Sequence, residues 1–275
     1  MRLKQGGEIR MVDNVFDLTA EDYAKIVPNC RFCQFLTLIH ELGLEGDEKV
    51  LDVGCGPGVL SVEMAKRLRS GNVTGLDLSE NMINLSRKLA SEHLLDNVSF
   101  QRGDALQLDF APESFNVVIS SYVLPWVKDP KRFLSESHRV LVKGGKLGMT
   151  SPIPDSYREF KLAFEVLAKS YPQYFPDDSP FAYVGSKIYL EDELEKVLHS
   201  VGFETKKRFV LTIQEPVTSQ SYLNRINAII GEPYLRSVPE AKKEIIRKKL
   251  QEILKNNGGE LKATECALFI IAVKR

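Results

Sequence analysis

Three glycines lie two residues apart in the segment 50–58, which reads V-L-D-V-G-C-G-P-G. A β-rich apolar run precedes them and a helical run follows, so the loop lies where an open α/β sheet presents its ligand crevice. Glycine lets the backbone turn sharply and lets a ligand approach it without a Cβ in the way. A dinucleotide-binding loop would read G-x-G-x-x-G, whereas here the third glycine follows after one residue and Val59 takes the sixth place. This spacing predicts a ligand loop and disfavours a nicotinamide or flavin dinucleotide.

Three acidic residues accompany the loop. Asp52 precedes the first glycine by two residues, where a carboxylate would repel a phosphate and attract a cationic amine. Asp77 closes the next predicted strand, and a carboxylate at that place can accept hydrogen bonds from both hydroxyls of a ribose. Asp104 follows the third predicted strand. The pattern therefore predicts a ligand that carries no pyrophosphate at this loop.

The elements that must position these residues alternate between short β-rich runs and longer helical runs, which is typical of βαβ units and a parallel sheet. Ser79 is the expected N-cap of the second helix of this series, and Asp129-Pro130 opens another that we expect to end at Gly144-Gly145. Strands are predicted at 48–53, 73–78, 98–101, 115–120 and 146–150. The α/β core is therefore expected to be continuous to about residue 150.

Five prolines and many aromatic residues break this rhythm at 152–190, so this stretch is predicted to be an insertion. A helix at 190–201 and strands at 203–213 and 267–273 resume the core. Two further segments, at 217–230 and 239–255, have helical period. Together with the insertion they are candidates for a cap over the ligand site.

We therefore predict a single domain over residues 1–275. An amino-terminal helical segment is expected at 15–44. The core is expected at about 45–151, 190–213 and 264–275, with lid or cap insertions at about 152–189 and 216–260.

Four segments in this order resemble the class I S-adenosylmethionine-dependent methyltransferases: D-V-G-C-G-P-G at 52–58, G-L-D-L-S at 75–79, G-D-A at 103–105 and S-H-R-V-L-V-K-G-G-K at 137–146. The resemblance covers about 49–150, and the set is far more specific than any one glycine loop. It implies a Rossmann-like α/β fold with a doubly wound, mostly parallel sheet of seven strands, whose last strand at 267–273 is antiparallel and inserted at one edge. It also implies S-adenosyl-L-methionine as the cofactor.

Similar proteins hold this cofactor through residue types that the present sequence has at matching positions. The methionine moiety corresponds to Asp52, Gly54 and Gly56, and the ribose to Asp77. The adenine corresponds to Leu78, Met82 and the pair Asp104-Ala105, and Cys55 in the glycine loop is also expected to contact the cofactor. The resemblance further implies that Ser121, just after the fourth strand, contacts the methionine end. Tyr23 in the amino-terminal segment would fold over that end.

The acceptor side is less closely matched, because Asn116 stands where the family usually has aspartate and Pro125 where histidine is frequent. Tyr122 and Trp126 after the fourth strand, and Tyr183 in the insertion, are candidates for the acceptor pocket, with simple packing as the alternative. A dense aromatic cluster in the insertion predicts either an apolar lid or a small satellite core. It comprises Tyr157, Phe160, Phe164, Tyr171, Tyr174, Phe175, Phe181 and Tyr183.

Composition limits the partners. Lys and Arg total 37, as do Asp and Glu, and a formal net charge of zero does not favour nucleic acid. No apolar run reaches the roughly 18 residues that a spanning helix needs, so we expect a cytoplasmic protein with no membrane span. Cys30 and Cys33 form a C-x-x-C, but no second Cys/His pair lies at zinc spacing, so no metal site is predicted.

The cofactor would supply a methyl group that is already activated, so the protein must mainly align a nucleophile and exclude water, and a general base is optional. No nucleophile or triad is recognisable and the four histidines lie apart in predicted helices, so no catalytic residue is assigned. The chain also lacks the Asn/Asp-Pro-Pro-aromatic tetrad and the Pro-Cys pair that mark, in similar families, methylation of adenine or glutamine nitrogen and of cytosine. The sequence thus favours transfer to an O, N or C atom of a small molecule.

Three alternatives remain open at this point. One is a tRNA or protein methyltransferase, for which the basic run at 242–249 would meet an acidic partner, although such a run is usually a solvated helix face. A second is a non-catalytic cofactor-binding module. The third is a nicotinamide dehydrogenase. Asp77 could bind the ribose hydroxyls of a nicotinamide cofactor as well as those of S-adenosylmethionine.

Overall fold

The computed structural model describes residues 9–176, 188–230, 232–256 and 260–275. Its helices are α1 Ile9–Leu42, α2 Val59–Ala65, α3 Glu80–Glu92, α4 Pro130–Val140, α5 Arg158–Ser170, α6 Glu191–Ser200, α7 Ser219–Ile230 and α8 Glu240–Lys255. Its strands are β1 Lys49–Val53, β2 Asn72–Asp77, β3 Val98–Arg102, β4 Phe115–Ser121, β5 Leu141–Pro152, β6 Phe203–Pro216 and β7 Lys262–Lys274. Short 3₁₀ turns lie at Leu124–Trp126 and Pro233–Leu235.

The strands form one sheet in the order β3-β2-β1-β4-β5-β7-β6. The pairs from β3 to β5 are parallel, whereas β7 runs antiparallel to both β5 and β6 and lies between them. The strand order reverses between β1 and β4, which leaves a crevice at the carboxyl ends of these strands. The predicted fold class is confirmed, including the antiparallel last strand inserted near one edge.

Local sequence determines where two helices begin. The Ser79 Oγ accepts a hydrogen bond from Met82 N at 3.2 Å, so Ser79 is the N-cap of α3, as predicted. Asp129 does the same for α4 through Arg132 N at 2.9 Å, and Pro130 is the first helical residue.

The expected end of α4 at Gly144-Gly145 is wrong. The helix ends at Val140 and β5 begins at the next residue, so both glycines lie inside the strand. A Cβ on Gly145 would lie 2.8 Å from Val142 O and 3.0 Å from Asn116 O. Glycine is therefore required at 145 by the close approach of backbones in the sheet.

Helices cover both faces of the sheet, as a doubly wound fold requires. Side chains of α4 and α6 join the strands in one buried cluster, and side chains of α1 and α2 join them in another. The strands between these clusters carry apolar residues on both sides, with Val50, Leu51 and Val53 of β1 fully buried. The rigid sheet fixes the loops that follow its strands.

Residues 153–176, which follow β5, pack together with α7 and α8 into a cap. Its apolar core is separate from those of the sheet and contains Phe160, Phe164 and Tyr222, all fully buried. Among the aromatic cluster, Tyr157 and Phe175 are also buried in this core, and Tyr171 and Tyr174 pack against it. Phe181 and Tyr183 lie outside the described residues. The satellite-core interpretation therefore accounts for most of the described aromatic residues.

None of the helices in the described ranges is long and apolar enough to cross a membrane.

Candidate functional site

A cleft opens at the carboxyl ends of β1 to β4 and is bounded on its far side by α1, α7 and the residues that follow β5. We call it the main cleft. It brings together eleven of the residues predicted for the site: Tyr23, Gly54, Gly56, Asp77, Leu78, Met82, Asp104, Ala105, Ser121, Tyr122 and Trp126. A smaller neighbouring space, the loop cavity, lies against the glycine loop and contains the predicted residues Asp52 and Cys55. Tyr183 lies outside the described residues.

The glycine loop uses its own N–H groups within the protein. Gly54 N and Cys55 N both donate to Leu76 O, at 2.7 and 3.0 Å, and Gly56 N donates to the Asp77 Oδ2 at 2.9 Å. A loop that cradles a pyrophosphate needs such groups turned toward the ligand. The hydrogen bonds thus disfavour a dinucleotide at this loop, in agreement with the glycine spacing.

Two glycines of the loop are required for different reasons. Gly54 has φ +73°, and a Cβ there would lie 2.2 Å from a methyl carbon of Val123, so it permits close packing on the loop after β4. Gly56 has φ +54°, and the nearest atom to a Cβ would be the Tyr23 Cε1 at 4.0 Å. Because Gly56 also lines the main cleft, a side chain at this position would project into space that a ligand can use.

Asp77 lies at the end of β2 and is held in a defined orientation. Its Oδ1 accepts from Ser79 N and its Oδ2 from Gly56 N, both at 2.9 Å. An ionised carboxylate has about four acceptor positions, so it can accept further hydrogen bonds from a ligand diol. Leu78 and the buried Met82 continue the same wall and provide an apolar surface of the kind on which a planar base packs.

The loops after β3 and β4 complete this half of the cleft. The Asp104 Oδ1 accepts from Leu106 N at 2.8 Å, which closes a tight turn that brings Ala105 to the cleft wall. The Ser121 Oγ lies 2.7 Å from the Thr150 Oγ1, so the end of β4 is tied to β5. These contacts orient the predicted residues but do not test their roles, which stay predictions.

Asp52 is buried beneath the glycine loop and is 1% exposed. It accepts a hydrogen bond from the Ser61 Oγ at 2.6 Å. Burial raises the pKa of Asp52 to about 7; the Ser61 hydrogen bond lowers it and the nearby Asp77 raises it. A cation placed in the loop cavity would favour the ionised form.

Arg31 is a site residue that sequence reasoning missed. It is 2% exposed, lines both the main cleft and the loop cavity, and donates to the Tyr23 and Tyr157 hydroxyls at 3.1 and 2.7 Å. Its guanidinium carbon lies 3.6 Å from the centre of the Tyr122 ring. The sequence offered one signal for it, the polar residues Arg31 and Gln34 about one helical turn apart in an otherwise apolar stretch. In the structure Gln34 also faces this site, because its Oε1 accepts from the Tyr122 hydroxyl at 2.7 Å.

The remaining wall of the main cleft is apolar and comes mainly from the cap side. Trp126 lines the cleft and also packs against the cap core. Pro152, Ile188, Ile229 and Ile230 line the same side and were not predicted. This half of the cleft suits an apolar ligand, whereas the half near β2 and β3 carries the acids.

Histidines and metal ligands do not contribute to this site. None of the four histidines lines the main cleft or the loop cavity. His138 instead stacks edge-on against Phe203, and burial lowers its pKa. The described part of the chain contains no group of three or more His, Cys, Asp or Glu residues that could hold a metal ion.

The chain is similar to a known protein family and to several named enzymes. A family model described as a methyltransferase domain matches residues 44–258. The demethylmenaquinone methyltransferase of Lactobacillus johnsonii is 29% identical over 173 residues, which covers 60% of this chain and 71% of that protein. The enzyme of the same name from Listeria monocytogenes is 37% identical over 138 residues, or 46% of this chain and 58% of that protein.

Solved structures share the fold. A crystal structure of a candidate methyltransferase from Bacillus halodurans has a TM-score of 0.62 and 21% sequence identity to this chain. The match covers 87% of this chain and 98% of that one. At this level of identity the likeness concerns the arrangement of helices and strands.

Proposed function

Since the chain belongs to the methyltransferase-domain family, that of the class I S-adenosylmethionine-dependent methyltransferases, we propose that it methylates a small, largely apolar ring compound in the main cleft. The observation that carries the proposal is the division of this cleft. The side near the ends of β1 to β3 carries the carboxylates of Asp77 and Asp104 and leaves open space beside Gly56. The cap side is an apolar wall.

The sheet side of the main cleft would hold the cofactor. We expect Asp77 to accept hydrogen bonds from the ribose hydroxyls, with the adenine between Met82 and the pair Asp104-Ala105. Gly56 would admit the methionine moiety, because a Cβ there would meet no atom closer than 4.0 Å. The loop fits a cofactor without a pyrophosphate, since its N–H groups already have acceptors in the protein.

The cap side of the main cleft would position the methyl acceptor. Bound S-adenosylmethionine supplies a methyl group activated on a sulfonium sulfur. The protein must then hold the acceptor atom in line with that methyl group and keep water out. Trp126, Ile229 and Ile230 would do this from the cap side by packing against the acceptor.

The apolar cap side of the main cleft and the names of the similar enzymes both support one class of methyl acceptor. An apolar wall with few polar groups favours a ring compound over a sugar or a peptide. The named relatives act on demethylmenaquinone, a quinone, and they support an acceptor of that type.

The cofactor assignment is tested by isothermal titration with S-adenosylhomocysteine and NAD. We expect the wild type to bind S-adenosylhomocysteine and not NAD, and Asp77→Ala to weaken that binding by at least about tenfold, or roughly 1.4 kcal/mol. Asp96→Ala is the matched control, because Asp96 is an exposed acid two residues before β3, at the amino end of that strand, whereas the main cleft lies at the carboxyl ends. Binding of NAD alone would replace this proposal with a dehydrogenase.

The acceptor assignment is tested by transfer of labelled methyl groups to a short-chain demethylmenaquinone, offered in its quinone and quinol forms. We expect Ile229→Ala to raise the KM for the acceptor severalfold and to leave the affinity for S-adenosylhomocysteine unchanged, because only apolar contact with the acceptor is lost. Ile245→Ala, at a half-exposed position of α8, should change neither value. Label appearing in tRNA or protein and in no small molecule would contradict the proposal.

A further inference from the structure

Arg31 occupies an unusual place for a charged residue. It is buried, yet it lines the main cleft and the loop cavity where the two spaces adjoin. The two spaces also share Tyr23, Gly54, Gly56 and Ser121 in their walls. A ligand that reaches from the main cleft into the loop cavity must therefore pass this guanidinium.

Most of the hydrogen-bonding capacity of Arg31 is not used. A guanidinium has five N–H donors, and Arg31 donates one to the Tyr23 hydroxyl and one to the Tyr157 hydroxyl. Its Nε makes no hydrogen bond and lies 3.8 Å from the Glu265 Oε2, beyond hydrogen-bonding distance. The Nε is therefore a buried donor without an acceptor among the described residues, and each terminal nitrogen has one acceptor for its two N–H groups. Such unpaired donors are rare in folded proteins and indicate that an acceptor binds there.

The aromatic residues around Arg31 hold it in one orientation. The ring of Tyr122 stacks on the guanidinium, and Tyr157 accepts from it. Both tyrosines have left-handed backbone conformations, with φ +61° and +60°. Strained residues of this kind are concentrated at binding and catalytic sites, where the surrounding structure maintains them.

One buried carboxylate is shared by Arg31 and Arg225. Glu265 carries it, and it lies 3.8 Å from Arg31 and 3.5 Å from Arg225. The second carboxylate near Arg225, that of Glu215, is 41% exposed and therefore screened by solvent. An anion at the cavity wall beside Arg31 would be stabilised.

The loop cavity also contains Asp52, so one small space holds a basic and an acidic group. A free α-amino acid group carries a carboxylate and an ammonium ion on the same carbon, and it matches this pair. Resting on the function proposed above, the geometry points to Arg31 as the residue that binds the α-carboxylate of the methionine moiety of S-adenosylmethionine, with Asp52 in the same cavity for the α-ammonium group. The other source of a carboxylate is an acidic acceptor molecule.

The test compares S-adenosylhomocysteine with 5′-methylthioadenosine, which keeps the adenosine and sulfur but lacks the amino-acid group. In Arg31→Lys we expect calorimetric affinity for S-adenosylhomocysteine to fall about ten- to a hundredfold, because the planar fork of donors is lost. Affinity for 5′-methylthioadenosine should not change. Arg225→Lys is the matched control, because it alters the other arginine beside Glu265 at a position that lines neither cavity. It should bind both compounds as the wild type does.

If Arg31→Lys does not fold, the double variant Arg31→Gln with Glu265→Gln removes both charges of the pair and should give the same selective loss. An equal loss for both compounds, or a loss also in Arg225→Lys, would show a structural role and overturn the inference. Unchanged S-adenosylhomocysteine affinity together with a higher KM for a carboxylate-bearing acceptor would overturn it in favour of the acceptor. Absence of S-adenosylhomocysteine binding by the wild type would instead refute the proposed function itself.

Discussion

Replacing Gly56 by alanine separates the ligand role of the glycine loop from its folding role. Gly56 has φ +54°, which an L-residue adopts at a cost of about 1–2 kcal/mol, partly offset by the lower entropy of the unfolded chain. The new Cβ would meet no protein atom closer than the Tyr23 Cε1 at 4.0 Å, so no clash adds to this cost. We therefore expect a loss of about 1 kcal/mol in the free energy of unfolding and a fall in Tm of roughly 2–4 °C.

Ligand binding should suffer more than stability, because the same methyl group enters the main cleft. Overfilling a packed site by one carbon costs about 1–3 kcal/mol, which corresponds to an affinity for S-adenosylhomocysteine about 5- to 150-fold lower. Gly43→Ala is a closely matched control. Its φ is +55°, a Cβ there would also meet no atom within 4 Å, and it lies at the end of α1 outside both cavities.

Both variants would be compared by urea denaturation and by isothermal titration. Equal stability losses with weaker binding only in Gly56→Ala would support the site. Wild-type affinity in Gly56→Ala would refute the assignment of the loop, and an equal loss of affinity in Gly43→Ala would show that backbone strain, rather than the ligand contact, is responsible.

Two further outcomes test the electrostatics of the loop and the packing of the cap. The pKa of Asp52 rises from 3.8 to about 7 on burial, so between these pH values the folded protein holds a proton that the unfolded chain has released, and the free energy of unfolding should fall as pH rises. Asp52→Asn should flatten this slope in urea titrations from pH 5 to pH 8, and an unchanged slope would contradict the shift. Phe164→Ala should cost about 3–5 kcal/mol, because this ring is fully buried in the cap core, whereas Phe32→Ala at a 39% exposed position should cost far less. Similar stability of the two variants in urea denaturation would show that the cap is not packed as described.

The cap explains why the cleft has two chemically different halves. The carboxyl ends of the strands supply carboxylates and glycines, because the turns that follow the strands contain polar side chains and sharp bends of the backbone. The cap buries a core of its own and turns α7 toward the cleft, so Ile229 and Ile230 form part of the wall. An acceptor that binds here would lose apolar surface to the cap and meet the cofactor on the sheet side.

The sequence by itself determined the order of strands and helices in the core and the place of the glycine loop. Those features depend on local patterns: the two-residue spacing of the glycines, the acid at the end of β2 and the capping side chain of Ser79. Eleven predicted residues line the main cleft, because each follows a strand end or lies in a segment that the fold brings there. Their roles toward a cofactor stay predictions.

Only the tertiary structure decided the residues that come from distant segments. In the sequence Arg31 looks like an ordinary charged residue of a helix. In the structure α1 lies over the loop after β4, and the guanidinium donates to Tyr157, which is 126 residues away in the chain. The aromatic insertion allowed either a lid or a satellite core. Packing against α7 and α8 placed most of its described aromatic residues in the cap core, and one of these, Tyr157, also lines the cleft. Local patterns report backbone preference and periodicity, whereas burial of a charge and the pairing of a donor depend on which segments pack together.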